Sequence, residues 1–226
     1  MNRRRIIIVD DHPLFRAALR QTLAGGDPSI DVEEAGDLAG LNAALEASRD
    51  CDLVLLDLNV PGARGFSGLL LLRAQYPEVP VMIISAVDEP GVIRSAIELG
   101  AAGYLHKSVG PPEIRRAIET VLAGEMFVPE GAGLATAEQD AGQAELLQRL
   151  ATLTSQQVRV LMMLSDGLMN KQIAYELSIS EATVKAHVSA ILQKLDVDSR
   201  TQAVIAATRI ERGQFETLLS DGRAPV

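Results

Sequence analysis

Three short apolar runs in the first half of the chain each end in a charged residue. The runs are Ile6–Val9, Leu53–Leu56 and Tyr104–His106, and they are followed by Asp10 with Asp11, by Asp57 and by Lys107. Short continuous runs of this kind, separated by helical patterns, are typical of buried parallel strands. Because the carboxyl ends of neighbouring parallel strands meet at one edge of a sheet, the four charged groups should share one crevice. This pattern therefore predicts an open α/β sheet.

The charged crevice also predicts a chemistry. Three crowded carboxylates repel one another, and each gains from a bound cation. Mg²⁺ suits such a cluster because it prefers oxygen ligands, and Lys107 supplies a positive charge for an incoming anion. The alternative is that Asp11 merely caps a helix that begins near Pro13. Capping does not predict charged residues at three strand ends, so we favour the cation site.

The remaining pattern of the first half completes the sheet. Strands are predicted at Arg5–Val9, Ile30–Ala35, Asp52–Leu56, Val79–Ile84 and Gly103–Leu105. Helices are predicted at Pro13–Leu23, Leu38–Ala47, Gly65–Tyr76, Pro90–Leu99 and Pro111–Ala123. Five βα units with short connections indicate one doubly wound, five-stranded parallel sheet.

The second half of the chain differs from the first in composition and in its pattern of apolar residues. Residues 1–127 form the predicted α/β domain, 128–150 a linker rich in Gly, Ala, Glu and Gln, and 151–226 an all-α domain. The linker is expected to end in a helix over Glu145–Ala151. Further helices are predicted from Thr154 through Leu164, at Lys171–Leu177 with Asn170 as cap, at Glu181–Leu195 with Ser180 as cap, and at Arg200–Arg209 after Ser199. Two short helices joined by a tight turn predict a helix-turn-helix.

Composition limits the function classes. No apolar run approaches a membrane span, and the single cysteine gives no disulfide framework, so a cytoplasmic protein is expected. The histidines are scattered without zinc-ligand spacing. The net charge of −9 argues weakly against nucleic acid, but the segment from Leu153 onward carries equal numbers of acidic and basic residues. The negative charge therefore belongs to the first two thirds of the chain.

The stretches IIIVDDHPLFRAAL, DLVLLDLNVPGARG, ISA and GYLHK resemble the receiver domain of two-component response regulators, which has a flavodoxin-like fold. The resemblance covers residues 5–125. It implies that Asp57 accepts a phosphoryl group from a sensor histidine kinase. The implied ligands of Mg²⁺ are Asp10, Asp11, Asp57 and the backbone carbonyl of Asn59.

The same resemblance assigns three further roles. Lys107 would contact the phosphoryl oxygens, the Ser85 hydroxyl would turn toward them, and Tyr104 would rotate inward with it. Many receivers have proline after the lysine, where this chain has Ser108, so the sequence leaves open whether the Lys107–Ser108 peptide is cis.

The segment from Leu153 to Ala207 resembles the LuxR/NarL-type helix-turn-helix. Its most specific stretches are NKQIA at 170–174 and SEATVKAHV at 180–188. Glu181–Leu195 would be the recognition helix, with its apolar face at Val184, Val188, Ile191, Leu192 and Leu195. The resemblance implies base contacts from Lys185, Ala186 and Ser189. Phosphate contacts are predicted from Thr183, Lys171, Lys194 and Arg200.

These inferences predict a phosphorylation-controlled transcription regulator rather than an enzyme. Its expected partners are a sensor histidine kinase, double-stranded DNA, RNA polymerase and, when phosphorylated, a second copy of the chain. One rival is an Asp-nucleophile phosphatase, but such enzymes place a general acid two residues after the nucleophile, where this chain has Asn59. Another rival is a receiver used mainly for protein–protein signalling, against which the helix-turn-helix argues.

Overall fold

The computed structural model describes residues 3–25, 28–130 and 141–212, with the side chains of Ala141, Glu211 and Arg212 excepted. The end of the predicted second domain, 213–226, and the middle of the predicted linker, 131–140, lie outside the described residues. The strands are β1 (Arg4–Val9), β2 (Ile30–Ala35), β3 (Leu53–Leu56), β4 (Asn59–Val60), β5 (Ala63–Arg64), β6 (Val81–Ser85) and β7 (Gly103–His106). The first five helices are α1 (Pro13–Ala24), α2 (Leu38–Ala47), α3 (Ser67–Gln75), α4 (Pro90–Glu98) and α5 (Pro111–Leu122).

Five of the strands form one parallel sheet in the order β2-β1-β3-β6-β7. Alternate residues of each strand face opposite sides, so the sheet separates two apolar layers. Ile6, Ile8, Leu55 and Ile84 belong to the layer that contains α1 and α5. Ile7, Val9, Leu56 and Ile83 belong to the layer of α2, α3 and α4. The predicted fold class is confirmed, because both faces of a parallel sheet are covered by helices.

A short hairpin between β3 and α3 was not predicted. β4 and β5 pair antiparallel, with Asn59 opposite Arg64. The predicted helix start at Gly65 is wrong, since Gly65 has φ 53° and lies in the left-handed region outside α3. The Ser67 hydroxyl accepts from the Arg64 amide and donates to its carbonyl, both at 2.9 Å. This local bonding ends the hairpin and sets the start of α3.

The second half is helical, as expected. Its helices are α6 (Ala141–Ala151), α7 (Ser155–Ser165), α8 (Asn170–Glu176), α9 (Glu181–Leu195) and α10 (Arg200–Arg212). Thr154 and Gln157 form the predicted capping box, and Ser180 caps α9. The prediction that Asn170 caps α8 is wrong. Met169 precedes the helix, and its amide donates to Gln172 Oε1 at 2.7 Å, because a glutamine at the third helical position can satisfy that donor.

The two halves of the chain pack against each other. Helix α7 lies against α3, and α6 contacts both α3 and α4. The Phe66 amide donates to the carbonyl of Ile210 in α10 at 3.1 Å. Arg64 Nη1 lies 3.5 Å from Asp166 Oδ1. The apolar layer of α2, α3 and α4 is therefore continuous with the core of the helical domain.

Candidate functional site

Lys107 joins two of the predicted acidic residues at the carboxyl edge of the sheet. Its Nζ lies 2.6 Å from Asp10 Oδ2 and 2.8 Å from Asp57 Oδ2. Both carboxylates are almost fully buried. The strand register explains the meeting, because β1, β3 and β6 are consecutive parallel neighbours and β7 follows β6. The sequence prediction that these strand ends share one crevice therefore matches the arrangement of the described residues.

Burial and the lysine have opposite effects on Asp57. Desolvation raises the pKa of the Asp57 carboxyl, and the hydrogen bond and charge of Lys107 only partly offset this rise. For Lys107 itself, burial lowers the pKa, but the hydrogen bonds to Asp10 and Asp57 outweigh it, so the net pKa is raised. The lysine therefore keeps its charge at neutral pH, whereas ionisation of the Asp57 carboxyl carries an energetic cost. A further cation at the pocket would reduce that cost.

Asp11 lies at the open side of the same pocket. Its carboxyl is 41% exposed, and its Oδ1 lies 2.7 Å from Nδ1 of His12. One oxygen or ring-nitrogen atom from each of Asp10, Asp11, His12 and Asp57 falls within 4.8 Å of the others. Three carboxylates with one ammonium leave an excess of two negative charges, which a divalent ion balances. The pocket is thus of the kind that binds Mg²⁺.

The structure tests the capping alternative for Asp11. The residue at the N-cap of α1 is His12, and its side chain makes no capping hydrogen bond. Asp11 precedes the cap and faces the acidic pocket instead. The peptide bond after Lys107 is trans, since the described residues contain no cis peptide.

Ser85 and Tyr104 lie behind the pocket and are both buried. The Ser85 hydroxyl accepts from the Val87 amide at 3.2 Å, and the Tyr104 hydroxyl donates to the Val87 carbonyl at 2.7 Å. Burial raises the pKa of Tyr104 to about 12, so it remains a donor. The Lys107 amide donates to the Ser85 carbonyl at 2.8 Å. The predicted switch residues therefore both hold the loop between β6 and α4, with Tyr104 in its inward position.

The prediction from sequence missed three residues beside the pocket. The ring of Phe15 lies 5.0 Å from Lys107 Nζ, which favours a cation there. Arg16 Nη1 donates to the backbone carbonyl of Asp10 and fixes that strand end. His12 contacts two carboxylates. All three lie within the five residues that follow the Asp pair, so this closeness in sequence was the available signal, but nothing in it showed which way each side chain points.

The outer face of α9 is open in the structure. The predicted DNA-contacting residues of this helix, Lys185, Ala186, Ser189 and Thr183, are all exposed, and so is Lys171 of α8. The inner face packs on the helical core through Val184, Ile191 and Leu195, which are buried, with Val188 and Leu192 partly buried beside them. Within the described ranges, the packing between the two halves of the chain leaves this face exposed.

Two other predicted DNA-contacting residues bind oxygens within the chain. Lys194 Nζ donates to the carbonyl of Thr152 at 2.6 Å and to Gln157 Oε1 at 2.8 Å. Arg200 donates to Asn170 Oδ1 at 3.0 Å and to the carbonyl of Leu168. These two side chains therefore stabilise the helix-turn-helix. To contact a DNA phosphate, each would have to share or give up these hydrogen bonds.

Comparison with known families agrees with this architecture. The model for the response regulator receiver domain matches residues 6–119, and the model for bacterial regulatory proteins of the luxR family matches residues 151–207. The chain is a LuxR-type response regulator. Members of this family are DNA-binding transcription regulators.

Relatives of this regulator match along nearly the whole chain. It is 43% identical to the glycerol metabolism activator of Pseudomonas putida over 92% of this chain and 96% of the relative. It is 36% identical to the DNA-binding transcriptional activator DevR/DosR of Mycobacterium tuberculosis, over 93% of this chain and 96% of that protein. The RcsB response regulator of Salmonella typhimurium shares the fold, with a TM-score of 0.56, 21% identity and coverage of 92% of this chain and 99% of RcsB. None of the described helices is both long and apolar enough to cross a membrane.

Proposed function

We propose that a sensor histidine kinase phosphorylates Asp57 in the presence of Mg²⁺, and that this modification controls dimerisation and sequence-specific DNA binding. The observation that carries the proposal is the placement of Lys107 between Asp10 and Asp57, at a pocket with excess negative charge. A second carboxylate and a fixed ammonium beside one buried aspartate suit phosphoryl transfer.

The residues divide the chemistry between them. An oxygen of the ionised Asp57 attacks the phosphorus, and the bond from phosphorus to the donor's imidazole nitrogen breaks. Lys107 neutralises the transferred oxygens, and Asp10 keeps its ammonium in place. A bound Mg²⁺, held by Asp10, Asp11, Asp57 and the Asn59 carbonyl, would supply further charge neutralisation.

Phosphorylation has a contact route to the second domain. A phosphoryl oxygen on Asp57 offers the Ser85 hydroxyl a stronger acceptor, which would draw it away from the Val87 amide. Tyr104 holds the same loop through the Val87 carbonyl. This loop leads into α4, which contacts α6 of the helical half. A change in the loop would therefore alter the packing between the domains.

The packing of α10 would link the altered packing between the domains to dimerisation. In the present arrangement the Ile210 carbonyl accepts from Phe66 of the receiver half. Weaker domain packing would free α10 and the hairpin β4–β5 for contact with a second copy. A dimer doubles the DNA contacts, which matters because residues from Leu153 onward carry no net charge. Contact with RNA polymerase remains a prediction.

The exposed face of α9 carries most of the proposed DNA contacts, and Lys171 of α8 adds another. Lys185 would donate to guanine in the major groove, with Ala186 and Ser189 beside it. Thr183 and Lys171 would contact phosphates. Arg200 and Lys194 are proposed mainly to position α8 and α9, since both side chains already bind backbone carbonyls.

The direct test is intact mass after incubation with Mg²⁺ and a small acyl phosphate. One phosphoryl group should be added to the unmodified chain and none to Asp57→Asn. Asp52→Asn is a matched control, because Asp52 directly precedes the first residue of β3, whereas Asp57 directly follows its last residue. Modification of Asp57→Asn would refute the assignment. Light scattering and DNA binding on the same samples then test the dimer.

A further inference from the structure

His12 is the one histidine of the described residues whose ring nitrogen joins the acidic cluster. Its Nδ1 lies 3.0 Å from Asp10 Oδ1 and 2.7 Å from Asp11 Oδ1. Asp10 uses different oxygens for its two partners, since Lys107 contacts Oδ2. The lysine and the imidazole therefore contact different oxygens of the Asp10 carboxylate, and the imidazole also contacts Asp11.

These distances match the spacing of neighbouring ligands around one metal ion. In an octahedral site with ligands about 2.1 Å from the ion, adjacent ligand atoms are about 3 Å apart. A neutral imidazole can carry its proton on the other ring nitrogen and leave the Nδ1 lone pair for a metal. The His12 side chain is 68% exposed, so a small rotation costs little packing.

We infer that His12 is a nitrogen ligand of the divalent ion in this pocket and shifts its preference toward Mn²⁺ and Co²⁺ over Mg²⁺. Imidazole suits these transition ions, whereas Mg²⁺ favours an all-oxygen set. The inference deepens the proposed function, because it concerns the metal at the proposed phosphorylation site. The competing role is a hydrogen-bond donor that only orients the two carboxylates.

Asparagine at position 12 separates the two roles. Its side-chain amide can still donate to a carboxylate, but its nitrogen does not bind metals. Metal-stripped protein would be loaded with one equivalent of Mn²⁺ and studied by pulsed electron paramagnetic resonance. The unmodified chain should show ¹⁴N coupling to Mn²⁺, and His12→Asn should lose it. His106→Asn should retain it, because His106 instead contacts Ser108 and the Ala86 carbonyl.

Calorimetry on the same variants gives a second readout. Co²⁺ affinity should fall about tenfold or more in His12→Asn, while Mg²⁺ affinity changes by less than about threefold. Bound Mn²⁺ without ¹⁴N coupling, coupling that persists in His12→Asn, or equal loss for both metals would overturn the inference. Mg²⁺-dependent phosphorylation, measured in parallel, tests the proposed function separately, since it can succeed whether or not His12 is a ligand.

Discussion

Asp11→Asn and Lys107→Ala should change Mg²⁺ affinity in opposite directions. The Asp11 carboxyl is 41% exposed, so a water-like dielectric constant is appropriate. A unit charge about 2.1 Å from a divalent ion then contributes about 4 kcal/mol. Asparagine keeps a ligand oxygen, so we expect a loss of about 2–3 kcal/mol, or a weakening of about 30- to 150-fold.

Lys107→Ala removes a cation that competes with the metal for Asp10 and Asp57. Repulsion between a unit charge and a divalent ion about 6 Å apart is about 1.4 kcal/mol even in water, which predicts a gain of about tenfold or more at this largely buried lysine. Phosphoryl transfer should nevertheless fall in this variant, because the charge that faces the phosphoryl oxygens is gone.

Isothermal titration of metal-stripped protein measures both affinities, which suits a chain without tryptophan. Asp52→Asn controls for the change in net charge, and circular dichroism controls for folding. Unchanged affinity in Asp11→Asn would remove its role as a ligand. Equal losses in Asp11→Asn and Lys107→Ala would refute the charge argument.

The remaining predictions concern pH and DNA. Because burial raises the pKa of Asp57, its ionisation costs folded-state stability as pH rises through the raised value, and that cost is absent below the ordinary carboxyl pKa. With metal removed by a chelator, Asp57→Asn should therefore increase the free energy of unfolding at neutral pH, and this gain should shrink in acid. Urea titrations at several pH values measure the gain, and a gain that does not change with pH would contradict the role of Asp57 ionisation. Lys185→Ala should reduce discrimination between operator and scrambled duplex by about 1–3 kcal/mol, whereas Lys171→Ala should weaken both about equally and lower the salt dependence; equal losses for Lys185→Ala would exclude base contact. Lys194→Ala should destabilise the helical domain by about 1–2 kcal/mol in thermal unfolding, because the variant loses the charged hydrogen bonds to Thr152 and Gln157. Unchanged stability would instead favour a direct contact between Lys194 and DNA.

Much of the pocket was predictable because its residues are fixed by strand ends. A short continuous apolar run between helical segments is typical of a strand inside a parallel sheet, and the residue after such a strand emerges at the carboxyl edge. Asp10, Asp57 and Lys107 follow from that rule alone. The caps at Thr154 and Ser180 were equally predictable, since each side chain accepts from the backbone amide three residues further on.

The contacts between distant segments were not predictable. Lys194 was expected to meet DNA, yet it reaches Thr152 and Gln157, which are 42 and 37 residues away. The periodicity of a helix shows only that a side chain lies on its polar face. Which oxygen a lysine on that face binds depends on the segments that the tertiary fold places beside it.

The sequence by itself determined the sheet, the helix-turn-helix and the acidic edge, because periodicity and strand ends are local properties of the chain. Only the tertiary structure decided the orientation of His12 toward Asp11, the inward position of Tyr104 and the contact between Phe66 and Ile210. Each of these depends on a side-chain rotation or a long-range approach that many sequences of the same pattern could satisfy differently.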